Sequence, residues 1–311
     1  MKNDAWRRSA AAYPQQGLLQ PRLTDVDRWQ HLNNVAQIGL HGELLQQWLQ
    51  ATLGDDLWRS DAPQLALRSS ATDFLAEAHY PAPLATGVRL LGVDAAGLHL
   101  GTALFQHGAC VGLHQATLGM WADGHPLPLP ADLAARVQAA ADAQPPLADS
   151  APAAEPPKLA AGLPPDHATG LPPHPDTWPW QLTVPARFAD ADARGQTSDH
   201  TLARCVEQGR VQFLTRVFGA QRLAAPVGFM VAHVALQWHQ RRHAPAAWQM
   251  GTGVQRVGAR SLAVRTALFD GADCLAEATS VMVVIDHASR RPAALPDAAR
   301  AVLAPYVLPG A

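Results

Sequence analysis

The sequence predicts an α+β protein built from two copies of one domain. The main observation is an internal repeat: Arg22–Asp27 reappears as Arg187–Asp192, at an offset of 165 residues. Later in the chain, Phe105–Cys110 matches Phe269–Cys274 at an offset of 164. A repeat of about 135 residues exceeds the period of solenoid units and has the size of a whole domain. The other observations are one helical and several strand-like patterns in each copy.

Each copy begins with a strand that leads into a polar loop. In the second copy, apolar side chains alternate with polar or small ones, a period of two that is typical of a half-buried strand. The apolar positions are Leu182, Val184, Ala186 and Phe188. The loop that follows carries two aspartates separated by one residue.

One long helix follows the loop in each copy. In the first copy, Ile38, Leu45, Trp48 and Leu49 recur at helical spacing, and Gly54 supplies a stop. The second copy repeats this pattern before Gly219, with apolar residues at Leu202, Val206, Phe213, Leu214 and Val217.

About four strands follow the helix in each copy. Short runs rich in β-branched residues, such as Val281–Ile285, are typical of strands. We expect strands near 64–76, 85–93, 97–106 and 110–121, and near 227–241, 248–257, 261–270 and 273–286. A helix followed by an antiparallel meander requires the sheet to cover the helix, which gives an α+β fold.

Composition shifts place the domain boundaries. We predict domain 1 at 1–139, a linker at 140–178 and domain 2 at 179–311. The linker is rich in alanine and proline, and prolines lack a backbone donor, so we expect a semi-extended segment there. A short helix from Ala131 to Ala141 is expected to precede it.

Overall composition excludes several classes of protein. The chain is 48% hydrophobic, without an apolar run of membrane-helix length or a signal-peptide core, which favours the cytoplasm. Three cysteines fit a reducing compartment better than a disulfide framework, and we expect all three to be small buried residues. The net charge is -2, but the second copy holds 14 basic against 9 acidic residues. That excess favours an anionic small ligand over nucleic acid, although compositional drift also explains it.

The residues that suggest chemistry lie in the loop before the first helix. Asp27 is followed by His31, Asn33 and Asn34, immediately before the helical pattern. The first-turn amides of a helix are unpaired and favour negative charge, so they could polarise a carbonyl oxygen. Asp27 could then act as a general base on water or as a nucleophile. Asn33 and Asn34 are also ordinary helix caps, which is the structural alternative.

At these residues the chain resembles the hotdog-fold thioesterases, in the branch of 4-hydroxybenzoyl-CoA thioesterase and the acyl-acyl-carrier-protein thioesterases. Those families carry an Asp-x-Asp loop and then His-Val-Asn-Asn entering the central helix, matched here by Asp27 and His31–Asn34. The resemblance implies that Asp27 is the catalytic carboxylate and that His31 assists it. In the acyl-carrier-protein branch an asparagine usually stands two residues after the aspartate, where this chain has Trp29.

The second copy departs further from the family pattern. Asp192 matches the catalytic position, but Gln196 replaces the histidine. Glu207 and Arg210 resemble a Glu-x-x-Arg that these families often carry along the helix. The second copy therefore keeps a variant site on Asp192 or is a degenerate partner that completes the first. We favour the partner, because glutamine cannot carry a proton as His31 can.

The resemblance also implies an arrangement and a ligand. Hotdog proteins wrap an antiparallel sheet around a central helix and pair so that ligands lie between protomers. Two copies in one chain would form that pair internally, with the site between the repeats. Surface arginines would bind the phosphates of the substrate, and the candidates are Arg241, Arg242, Arg256 and Arg260.

We expect no metal or other cofactor. His233, His239 and His243 share the parity of one strand, but they lie too far apart along it to share a metal, and we expect no cysteine or carboxylate on that face.

The predicted function is hydrolysis of an acyl-CoA or acyl-carrier-protein thioester. Two alternatives stay open. One is hydration or dehydration of an acyl-CoA, although the Gly-Asp-x-Asn-Pro-x-His signature of such hotdog enzymes is missing. The other is a non-catalytic protein that binds acyl-CoA or acyl-carrier protein. No nucleic acid partner or membrane span is expected, and the oligomeric state of the two-copy unit is open.

Overall fold

The computed structural model describes residues 4–54, 64–147, 174–219 and 227–309. The chain divides into two compact units, residues 1–161 and 162–311. Most of the predicted linker, residues 148–173, lies outside the described residues, so its extended character stays a prediction. The short helix expected before the linker is confirmed as Ala131–Asp142.

The described residues of unit 1 form six strands and two α-helices. The strands are β1 (Gln15–Leu19), β2 (Gln64–Phe74), β3 (Leu84–Asp94), β4 (Gly97–Gln106), β5 (Ala109–Ala122) and β6 (His125–Leu127). The helices are α1 (Asn34–Leu53) and α2 (Ala131–Asp142). The strands form an antiparallel sheet in the order β1-β3-β4-β5-β2, with β6 added beside β5.

Unit 2 repeats this arrangement. Its strands are β7 (Trp180–Pro185), β8 (Val227–Trp238), β9 (Ala247–Val257), β10 (Ser261–Asp270) and β11 (Asp273–Asp286). Its helices are α3 (Asp199–Phe218) and α4 (Asp297–Leu303). The antiparallel order is β7-β9-β10-β11-β8, which is the order of unit 1. The predicted α+β class is confirmed, and the eight strands expected after the helices are present.

The long helix of each unit packs on one face of its sheet. In unit 1, α1 contacts β3, β4 and β5, and in unit 2, α3 contacts β9, β10 and β11. Both helices end at a glycine with positive φ, Gly54 at 103° and Gly219 at 66°, as the repeat predicts. Three tryptophans, Trp48, Trp121 and Trp238, are buried in the cores of the two units.

The first strand of unit 2 is shorter than the sequence predicts. It ends at Pro185, and Phe188 lies in a 3-10 turn with its side chain fully exposed. Pro185 has no N–H to donate, so the ladder is hard to continue through it. The prediction that the strand continues through Ala186 and Phe188 is therefore wrong.

The second face of each sheet is covered by an aromatic side chain from the segment before the first strand. Tyr13 packs with Ala103 and Phe105 in unit 1. The matching cluster in unit 2 contains Trp178, Ala267 and Phe269. Each covering ring sits against a strand glycine, Gly87 or Gly251, whose added Cβ would overlap the ring. The repeat therefore extends to the packing of the outer face.

Among the described residues, no helix combines the length and the apolar character needed to cross a membrane.

Candidate functional site

The loop that carries Asp27 is a tight turn closed by backbone hydrogen bonds. The Asp27 N–H donates to the His31 carbonyl at 3.0 Å, and the Gln30 N–H donates to the Asp27 carbonyl at 3.0 Å. Gln30 adopts a positive φ of 67°, a conformation that glycine adopts more easily. At the matching place in unit 2 the residue is Gly195, with a φ of 75°. Both copies therefore build the same turn.

The turn places the Asp27 carboxylate beside an imidazole. Oδ2 of Asp27 lies 3.4 Å from Nδ1 of His31, and Oδ1 accepts the N–H of Trp29 at 2.8 Å. The two side chains are 19% and 18% exposed, so the pair is accessible to a small molecule without standing in open solvent. The imidazole can exchange a proton with the carboxylate or with a bound group.

Asn33 is the N-cap of α1. Its Oδ1 accepts the N–H of Val35 at 2.6 Å, and α1 begins at Asn34. The structural alternative for Asn33 is therefore confirmed, and one first-turn amide is already occupied. The cap also fixes the end of the helix next to His31, where the helix dipole is positive.

The first aspartate of the Asp-x-Asp loop has a structural task. Asp25 is buried and receives the backbone N–H of Arg22 at 2.8 Å and its guanidinium at 2.8 Å. Asp190 is held in the same way by Arg187, and also by Arg204 at 2.9 Å. Only the second aspartate of each pair stands on the site side of the turn.

A histidine that the sequence analysis missed adjoins this turn. Nδ1 of His79 lies 3.3 Å from the Gln30 carbonyl, and Nε2 lies 3.9 Å from the Glu77 carboxylate. In unit 2, Nδ1 of His243 makes the same 3.3 Å approach to the Gly195 carbonyl. The sequence feature that could have indicated His79 is a His-x-Pro sequence that the two copies share, at His79 and His243.

The site residues of unit 2 are arranged differently. Oδ1 of Asp192 accepts the N–H groups of Arg194 at 2.9 Å and Gln196 at 3.0 Å, so the carboxylate is bound within its own loop. Ser198 replaces the asparagine cap of the helix. On α3, Glu207 is half-buried, and Arg210 is buried with its guanidinium donating to Ser280 at 3.1 Å. The preference for unit 2 as a degenerate partner stays a prediction.

The four arginines do not form one phosphate site. Arg241 is buried against the Trp238 ring and paired with Asp199, so the expectation that it lies on the surface is wrong. Its partner Asp199, in the first turn of α3, is 43% exposed, so the pair lies at the edge of the unit. Arg242 is 39% exposed and binds Asp273 at 2.8 Å.

Arg256 and Arg260 are exposed, but they lie elsewhere in the unit. Gln249 pairs with Phe269, near the Arg242 partners, whereas Arg256 is seven residues further along β9. At about 3.3 Å per residue, this places the backbone of Arg256 roughly 20 Å from that of Gln249.

The histidine-rich strand does approach a cysteine and a carboxylate, contrary to the sequence expectation. The ligand atoms of His239, Cys274 and Glu277 lie within 4.8 Å of one another, because β11 runs beside β8. These three residues could hold a metal ion. However, Arg265 already binds Glu277 at 2.6 Å, and an internal ion pair accounts for the cluster.

The cysteines are not nucleophiles at neutral pH. Burial raises the pKa of Cys205 to about 12, of Cys274 to about 12 and of Cys110 to about 11. The reactive form of a cysteine is its thiolate, so these thiols stay inert. Cys205 is buried as expected, and the other two are half-buried.

Comparison with known proteins agrees with this fold. Residues 186–303 match the sequence model of the Thioesterase-like superfamily. No curated protein matches the chain in sequence.

Three solved structures resemble nearly the whole chain. An oleoyl thioesterase structure from Lactobacillus plantarum is 12% identical, with a TM-score of 0.65, over 88% of this chain and 96% of its own. The 12:0-acyl-carrier-protein thioesterase of Umbellularia californica is 10% identical, with a TM-score of 0.60, over 93% of this chain and 100% of its own. An acyl-carrier-protein thioesterase from Bacteroides thetaiotaomicron is 10% identical, with a TM-score of 0.57, over 86% of this chain and 97% of its own.

At these identities the structural matches establish the fold, and the family match falls on unit 2. Together they confirm the resemblance found in the sequence. The chain is therefore a two-unit hotdog protein, and residues 186–303 in its second unit match the thioesterase-like superfamily.

Proposed function

We propose that this chain hydrolyses an acyl-CoA or acyl-carrier-protein thioester at Asp27 of unit 1. The observation that carries the proposal is the 3.4 Å approach of the Asp27 carboxylate to the His31 imidazole, at the positive end of α1. The superfamily match of unit 2 and the thioesterase structures that share the fold support the reaction class.

The geometry suggests a role for each group. Asp27 activates a water molecule or attacks the thioester carbon directly, since a half-buried carboxylate can do either. His31 transfers or holds a proton beside it. The positive end of α1 stabilises the negative charge that develops on the carbonyl oxygen. The thiol of the carrier leaves, and the acyl group is released as the free acid.

Unit 2 lacks two of these features. Gln196 stands where His31 stands in unit 1, and Asp192 receives two N–H groups of its own loop. Both N–H groups bind Oδ1 of Asp192, so that oxygen is less free to bind a water molecule. We therefore assign turnover to unit 1.

A thiol-release assay on purified protein tests the proposal. Short, long and aromatic acyl-CoA substrates and an acyl-carrier-protein substrate are compared for the wild type, Asp27→Asn and Asp192→Asn. We expect Asp27→Asn to lower kcat by a factor of about 10² to 10⁴, the usual effect of losing a general base. Asp192→Asn, the matched control in the second copy, should retain most of the turnover.

Other outcomes would assign another function. Near-normal turnover of a folded Asp27→Asn protein would exclude Asp27 as the catalytic group. Tight binding of acyl-CoA without thiol release would indicate a binding protein. Hydration of crotonyl-CoA without thiol release would indicate a hydratase.

A further inference from the structure

A line of polar side chains continues along α1 from the candidate site into the interior of unit 1. Asn33, Gln37 and His41 are spaced four residues apart, which places them on one side of the helix. Gln37 and His41 are 4% and 0% exposed. With a rise of 1.5 Å per residue, they lie about 6 Å and 12 Å from the cap. Nε2 of Gln37 also donates to the Leu32 carbonyl at 3.1 Å, which ties it to the Asp27 loop.

His41 belongs to a buried pair of imidazoles. Its ring stacks on His114 at 5.0 Å between centroids, with 11° between the planes. Nδ1 of His41 lies 2.6 Å from Thr102 Oγ1, and Nδ1 of His114 lies 2.8 Å from Thr72 Oγ1. Burial lowers the pKa of His114 to about 3. Burial also holds the pKa of His41 well below its usual range, and the neighbouring His114 lowers it further. Both rings are therefore neutral at physiological pH.

Two polar atoms of this region have no hydrogen-bond partner among the described residues. They are Oε1 of Gln37 and Nε2 of His41. Both face the same point: a Cβ added to Gly112 would lie 3.3 Å from each of them. Leaving such groups buried and unpaired costs about 1–3 kcal/mol apiece.

Unit 2 shows that the fold does not need these polar groups. The strand registers match Thr72, Thr102 and His114 of unit 1 with Leu236, Thr266 and Ala278 of unit 2. In the remaining matched places, Gln37, His41 and Gly112 correspond to three buried apolar residues, Leu202, Val206 and Ala276. The same architecture packs without the polar cost, so the cost in unit 1 calls for a function.

We infer that Gln37, His41 and Gly112 form a subsite for a hydroxyl group carried on the acyl chain of the substrate. This inference rests on the proposed thioesterase function. A hydroxyl can donate its proton to Gln37 Oε1 and accept from His41 Nε2–H, in the tautomer in which His41 Nδ1 accepts from Thr102. An alanine at position 112 would place its methyl group 3.3 Å from both polar atoms, in space that glycine leaves unfilled. The amide orientation is set by the bond to Leu32, so Oε1 must receive a donor.

The same geometry excludes a charged acyl terminus at this subsite. A carboxylate would bring its charge against the carbonyl oxygen of Gln37 and two neutral rings, none of which compensates it. A plain alkyl chain would leave both polar atoms unpaired. The subsite therefore favours a hydroxyacyl substrate over an alkyl or a dicarboxylic one.

The test compares kcat/KM for octanoyl-CoA with that for octanoyl-CoA isomers hydroxylated at successive carbons. We expect the wild type to prefer at least one hydroxylated isomer by about tenfold or more, since a site built to bind a hydroxyl penalises its absence. Gln37→Leu and Gly112→Ala introduce the residues found at these places in unit 2, and each should bring the ratio close to one. Gly42→Ala, next to His41 on α1 but with open space around its Cβ, should keep the wild-type ratio. Melting temperatures confirm that each variant is folded.

A binding measurement distinguishes the failure of this inference from the failure of the proposed function. Non-hydrolysable octyl-CoA and hydroxyoctyl-CoA thioethers are titrated by calorimetry into the wild type and Gln37→Leu. If no thioester is hydrolysed but the hydroxylated thioethers bind more tightly, and only to the wild type, the hydrolase proposal fails and the subsite stands. Equal affinity for both thioethers, or binding of neither, overturns the subsite and leaves a buried polar pair without a ligand.

Discussion

At the scale of single residues, the Asp-x-Asp loop separates two tasks that look alike in the sequence. Asp25 is 4% exposed and bound to the backbone and side chain of Arg22, so it shapes the turn. Asp27 is only partly covered and faces His31. Burial and partners, rather than residue type, decide which carboxylate can do chemistry.

The two aspartates should therefore respond differently to the same substitution. We expect Asp25→Asn to lower the free energy of unfolding by about 1–3 kcal/mol, because a charge-assisted hydrogen bond is lost in a buried place. Asp27→Asn should change it by less than about 0.5 kcal/mol, as for a half-exposed side chain. Urea denaturation measures both. A larger destabilisation by Asp27→Asn than by Asp25→Asn would show that the roles are reversed.

At the scale of elements, local patterns predicted both long helices, α2 and the eight strands that follow the long helices, but not β6 or α4. Each long helix has a 3.6-residue apolar pattern and a terminal glycine, and strands such as β11 have a short β-branched run. These signals are local, so one sequence suffices to read them. The helix followed by a meander predicted a sheet that covers the helix, and the resemblance to the hotdog thioesterases agreed with it.

Contacts between distant parts of the chain could not be read in the same way. Two of these contacts depend on which strands are neighbours and on their register. They are the approach of His239 to Cys274 and Glu277, and the burial of Arg241. His79 is a different case, since its His-x-Pro sequence repeats in both copies and could have been found. The buried line from Asn33 to His41 was hidden because polar residues on a helix usually face water.

The aromatic cover of the outer sheet face gives a prediction at this scale. Gly87 on β3 lies under Tyr13, and an added methyl group would overlap the ring. We expect Gly87→Ala to destabilise the protein by about 1–3 kcal/mol, the usual cost of overpacking. Gly92→Ala on the same strand has open space and should be neutral or slightly stabilising. Thermal melts compare them, and equal melting temperatures would show that the Tyr13 cover adjusts freely.

At the scale of the whole molecule, two units share one architecture but differ in what they bury. Unit 1 encloses His41 and His114 as neutral rings, and the matched places in unit 2 are Val206 and Ala278. The two copies thus share an architecture but differ in which buried places hold imidazoles. That difference predicts unequal sensitivity of the two units to acid.

Acid should destabilise unit 1 more than unit 2. In the unfolded chain both histidines bind a proton near pH 6.5, whereas their folded pKa values are lowered, to about 3 for His114. Below pH 6.5 the unfolded state therefore holds more protons, and each ring costs up to about 1.4 kcal/mol of stability per pH unit. Between pH 6.5 and 5 His114 alone accounts for a loss of roughly 2 kcal/mol, His41 adds to it in the same direction, and the loss is absent above pH 7. Pulse proteolysis with fragment mapping at pH 7 and pH 5 measures each unit, and we expect unit 1 to become cleavable first at pH 5.

The double variant His41→Val and His114→Ala copies the residues of unit 2 and should remove the pH dependence of unit 1. Earlier cleavage of unit 2 at pH 5, or an unchanged pH dependence in the double variant, would mean that other groups control the acid response.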